Sequence, residues 1–167
     1  ASAWTTPSLV GNVPRSDHSL GFQGSKLAQI EADGLPEVII SSYQGVYYFR
    51  IPADPAAGSW PRVLVAANDS DEGIGIADMD GDGDLDIGFA SGNSKNVMWA
   101  RNPGDGSPNW SVFTIGTFPE ADWIDRCEAV DLNGDGRADL IATEENQSGS
   151  PDALAVLWEQ PATSPTN

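Results

Sequence analysis

The sequence predicts an all-β fold: three β-propeller blades of about four antiparallel strands each. One set of landmarks recurs three times at a spacing of about 50 residues. Between turn residues the segments are short and rich in Val, Ile, Tyr, Trp and Phe. No stretch sustains the 3.6-residue period of an amphipathic helix.

Each unit opens with a tryptophan and a β-prone stretch: Trp4 with TTPSLV, Trp60 with PRVLV, Trp110 with SVFTI. An acidic, glycine-containing loop follows, starting at Gln29, Asp78 or Asp131. An aromatic strand then ends at Pro52, Pro103 or Pro161. Equivalent tryptophans lie 56 and 50 residues apart, loop starts 49 and 53, and prolines 51 and 58. The chain divides on this reading into blades at 1–55, 56–106 and 107–161 and a linker-like tail at 162–167. Strands are expected at 37–43, 45–51, 86–91, 96–101, 139–145 and 153–159. About four strands per unit of this length is the size of a propeller blade. Three blades alone would leave two apolar faces bare, so the expectation is either a larger propeller or a ring completed by a second copy of the chain.

With 25 acidic and 8 basic residues, the net charge is −17. That excludes binding to nucleic acid or to an anionic membrane through a basic face. No apolar run approaches the roughly 20 residues a membrane helix needs. The single Cys127 and single His18 leave no set of soft ligands for zinc and no intrachain disulfide. Self-repulsion on this scale calls for neutralisation, and divalent cations supply it economically.

The carboxylates are clustered in the loops. In the second unit Asp78, Asp80, Asp82 and Asp86 occupy positions 1, 3, 5 and 9 of a nine-residue loop, with Asp84 at position 7 offering its backbone carbonyl. Calcium takes six to eight hard oxygen ligands, and alternate residues of a tight loop can converge to provide them. Gly81 and Gly83 allow the backbone angles needed. The third unit repeats the pattern with Asp131, Asn133, Asp135 and Asp139, and with the carbonyl of Arg137, whose side chain is free to face solvent. In the first unit Gln29, Glu31, Asp33 and Glu37 take the same places, with a neutral first ligand and a longer second one. Two calcium sites are therefore expected, the first loop holding a third ion weakly or not at all. An EF-hand would need a carboxylate at position 12 and a helix after it. Phe89 and Ala142 stand there instead, in strand-like sequence.

DMDGDGDLDI and DLNGDGRADL resemble the loop of FG-GAP/VCBS repeats, the calcium-binding blades of integrin α-subunit heads and of many secreted bacterial and fungal proteins. The resemblance runs from about Trp4 to Pro161. It implies a seven-bladed, extracellular ring with its calcium loops on one rim. Family members serve as adhesion heads, lectins and accessory modules of polysaccharide-degrading proteins. This chain departs from them in having three units and a degenerate first loop.

Trp123 breaks the repeat. It lies beside Asp125 and Arg126, an aromatic and charged composition suited to stacking on a sugar and bonding its hydroxyls; the alternative is an inter-blade filler beside a local ion pair. Asp71, Glu72 and His18 precede the other loops and are the remaining candidates for a polar ligand-binding rim. No Ser-His-Asp order, nucleophile elbow or phosphate loop is present, so binding is expected rather than catalysis. The expected partner is a glycan. The alternatives are an extracellular protein met in adhesion or scaffolding and a fragment of a polysaccharide lyase or hydrolase.

Overall fold

The computed structural model describes residues 22–56, 58–67, 70, 72–118, 123–145 and 155–158, with Phe22 and the last four as backbone only. Trp4, His18 and Asp71 lie outside these residues. Eleven strands and no helix occur among them.

The first sheet contains β1 (Phe22–Ala28), β2 (Glu37–Ser42), β3 (Gly45–Arg50) and β4 (Arg62–Ala66), paired antiparallel in chain order. The second contains β5 (Ile74–Ala77), β6 (Asp86–Ser91), β7 (Asn96–Arg101) and β8 (Ser111–Thr117), in the same order. The third contains β9 (Ile124–Val130), β10 (Asp139–Glu144) and β11 (Ala155–Trp158). Among the described residues the three sheets form an open set and close no ring.

The six strands expected from sequence are present as β2, β3, β6, β7, β10 and β11, each within two residues of the expected bounds. The sheets are out of phase with the sequence units. The stretches after Trp60 and Trp110 are β4 and β8, which pair with β3 and β7 and so finish a sheet instead of opening the next one. Described sheet boundaries therefore fall between 66 and 74 and between 117 and 124, not at 55 and 106. The cause is register: Tyr48 pairs with Val63 and Trp99 with Phe113, giving each aromatic strand an apolar neighbour on its outer side.

Both faces of the middle sheet are covered. Ile39, Val46, Tyr48, Val63 and Val65 of the first sheet pack on Ile74, Ile87, Phe89, Met98 and Ala100 of the second, with Trp110 and Tyr48 rings tilted at 6.2 Å. On the other side Ala90, Val97 and Trp99 meet Ile124, Cys127, Leu140 and Ala142. Successive residues of β6 thus feed opposite clusters, as strand pleating requires.

The first strand of each sheet is an edge strand, and these three strands approach one another closely. A Cβ added at Gly73 would sit 1.7 Å from the Cys127 nitrogen, and one at Gly24 would sit 2.0 Å from the Glu72 carbonyl oxygen. The Gly73 N–H donates to the Asp125 carbonyl at 3.0 Å, and Lys26 of β1 pairs with Glu128 of β9. Gly73 matches Cys127 and Gly75 matches Ala129, so β5 and β9 run in parallel. The β5–β6 and β9–β10 loops, both acidic, consequently emerge at the same end.

Candidate metal centre

The acidic loops follow the first strands of the sheets, at 29–36, 78–85 and 131–138. Two of them fold by the same hydrogen bonds. Asp78 accepts from Gly81 N–H (2.7 Å) and Gly83 N–H (2.9 Å), and Asp131 accepts from Gly134 (2.7 Å) and Gly136 (2.9 Å). At position 5, Asp82 and Asp135 each accept from the N–H two residues on. The glycines in both loops have φ between 79° and 96°, the left-handed region that their lack of a Cβ makes accessible. In the first loop Asp33 repeats the position-5 bond, accepting from Leu35 N–H at 2.9 Å.

Position 9 is a buried carboxylate in every loop, and it ties the strand after the loop to the backbone at position 2. Glu37 accepts from Ile30 N–H (2.7 Å), Asp86 from Met79 N–H (2.9 Å) and Asp139 from Leu132 N–H (3.1 Å). Burial raises the Glu37 carboxyl and pushes that of Asp86 up to about 6, against the backbone donors that favour the ionised forms. A positive ion nearby would offset that cost.

Among the described residues two groups of three carboxylates converge: Asp78, Asp80 and Asp86 in the second loop, and Glu31, Asp33 and Glu37 in the first. Within each group one oxygen per residue lies inside 4.8 Å of the others. Oxygens about 2.4 Å from one calcium ion can be no further apart than that, and the donors are all hard oxygens, so both groups fit the metal. The first loop is better assembled than its sequence suggests. Its longer Glu31 side chain reaches Arg50, and the Tyr48 hydroxyl donates to the same carboxylate at 2.6 Å. The Arg50 guanidinium, partly offset by burial, holds Glu31 below the usual carboxylate range.

The third loop is not one of these groups. Its position 3 is the amide Asn133, and the exposed Asp131 carboxyl is lowered chiefly by the Gly136 N–H. The Arg137 side chain, which the sequence leaves free to face solvent, is 35% exposed. It returns to pair with Asp135, an electrostatic gain in a loop otherwise composed of acceptors. Asp84, expected to use only its carbonyl, rests its carboxylate against Gly104, where an added Cβ would lie 2.2 Å away.

Arginine is the element the sequence reading missed. Arg101 Nε pairs with Asp80 and its Nη2 with Asp82 at 3.1 Å. Burial raises Asp80, while for Asp82 the Asp84 N–H and Arg101 outweigh burial and lower it. Arg50 and Arg101 each stand two residues before a repeat proline, Pro52 and Pro103, a recurrence legible in a chain with only eight basic residues. Next to Arg101, the buried Asn102 links the first two loops. Its Nδ2 donates to the Ile30 and Leu85 carbonyls, both at 3.1 Å, and its N–H donates to Asp86 at 2.8 Å.

The other candidates lie at the opposite end of the sheets. The Trp123 ring packs on Gly92 and meets Tyr43 edge-on at 6.3 Å. Arg126 pairs with both Glu72 and Asp125. The structure therefore brings Asp125, Arg126 and Glu72 together, with Trp123 seated between turns of the first two sheets.

No curated protein matches the chain. The family model for the FG-GAP-like repeat matches twice, at residues 30–89 and 89–142, each match reaching from one sheet into the next. The chain belongs to the FG-GAP-like repeat family.

Proposed function

We propose that this chain is a calcium-binding, β-propeller-type module of an extracellular protein, serving to bind a partner and not to catalyse. The observation that carries the proposal is the convergence of Asp78, Asp80 and Asp86 on one point, from a loop whose hydrogen bonds hold the side chains in place. Bound calcium would neutralise charge that the buried Asp86 and the −17 chain otherwise leave uncompensated. The repeat family supports a propeller-like arrangement, completed by further blades of a parent chain or by a second copy. The partner is a glycan or an extracellular protein, met through the end that carries Trp123, Asp125, Arg126 and Glu72.

Calcium should raise the melting temperature. Saturation at 100 times Kd adds about 2.7 kcal/mol per site. Thermal unfolding in millimolar calcium and in chelator tests this, and equal melting temperatures would remove the metal from the account.

A further inference from the structure

We propose that Arg101 is a built-in counter-cation of the second loop, competing with calcium for Asp80 and thereby setting the affinity of that site. The inference rests on the calcium reading above. Asp80 belongs to the converging group with Asp78 and Asp86, and the same carboxylate is engaged by Arg101 Nε. Its side chain is 6% exposed with the guanidinium seated on it. Asp82, the position-5 residue, is held by the second arm of the same fork.

Arg101 cannot drift far from the loop. It is the last residue of β7, paired with Ser111 of β8, and the next residue, Asn102, is fixed in the interior by its bonds to Ile30, Leu85 and Asp86. An entering ion must share Asp80 with a positive charge that the fold keeps beside it, or displace that charge from both carboxylates. The other loops carry the same device on different residues, Arg50 on Glu31 and Arg137 on Asp135. In each loop, then, at least one expected ligand is already paired with an arginine of the chain. This lets a chain of such negative charge assemble its loops before calcium arrives, at the cost of weaker calcium binding.

The test is calorimetric titration with calcium chloride of the wild-type chain, Arg101→Gln and Arg62→Gln, with Asp80→Ala identifying the second-loop site by its loss. Arg62, on β4, lies over the Tyr47 ring of β3, so its replacement makes the same change in net charge in a different sheet from the one that carries the second loop. Arg101→Gln should lower the second-loop Kd about tenfold, the factor equivalent to about 1.4 kcal/mol. It should also melt lower in chelator and gain more from calcium than the wild type does. Arg62→Gln should leave the Kd unchanged. Calcium binding with an unaltered Kd in Arg101→Gln overturns the competition and leaves the calcium reading standing. Equal tightening in both variants also overturns it, since net charge alone would then account for the effect. Absence of calcium binding in every variant overturns both.

Discussion

Asn102 shows how much one side chain can hold. Its amide nitrogen spans two loops from different sheets, its oxygen accepts from Gly104 N–H at 3.0 Å, and its own N–H reaches Asp86. Replacing it with alanine leaves the Ile30 and Leu85 carbonyls without this donor, and a buried unsatisfied group costs about 1–3 kcal/mol. Asn102→Ala should therefore lose about 3 kcal/mol of stability in urea unfolding, seen as a lower midpoint at unchanged slope. A loss below 1 kcal/mol would mean that the loops do not depend on this bridge. Nothing in the sequence sets Asn102 apart, because an asparagine before a proline reads as an ordinary turn. Its role arises from Ile30, 72 residues away.

At the scale of elements, the six strands read correctly from sequence are the second and third of each sheet, whose segments carry β-branched and aromatic residues between turn residues. The first strands β1, β5 and β9 went unread for a physical reason. Where backbones approach as closely as Gly73 does to Cys127 there is no room for a side chain, so FQGSKLA and IGIA carry glycine at the contact, and IDRCEAV mixes charged residues among its apolar ones, which obscures the usual strand pattern. Two glycine substitutions separate this steric constraint from a conformational one. Gly73→Ala should cost about 3 kcal/mol, the upper range for overpacking, because its Cβ meets backbone that cannot move aside. Gly81→Ala, with φ of 79° and nothing within 4 Å, should cost only about 1 kcal/mol. Chemical denaturation of both variants checks the order; a cheaper Gly73→Ala would mean that β5 and β9 can separate without loss.

For the whole molecule, Trp123 touches all three sheets. Its ring lies on Gly92 and against Tyr43, and its carbonyl accepts from Glu145 N–H at 2.8 Å. Trp123→Ala should lose about 3 kcal/mol, as removal of a packed tryptophan does. Below its melting temperature the variant should keep any glycan-array pattern of the wild type, because the ring is committed to packing. An unchanged melting temperature with loss of the pattern would assign the ring to the sugar instead.

The acidic loops were legible because their chemistry is local: ligand positions and turn glycines lie within ten residues, and the loops recur at about 50. By itself, then, the sequence determined the all-β class, the threefold repeat, the central strands and the oxygen-rich loops. Only the tertiary structure decided where one sheet ends and the next begins, since that depends on β4 pairing with β3 across the turn that holds Trp60. It also decided which loop carboxylates converge and which arginine each meets. Asp80 and Arg101, like Ile30 and Asn102, are brought together by strand register and sheet packing; the arginine two residues before Pro52 and Pro103 marks the position in the sequence but not the carboxylate it meets.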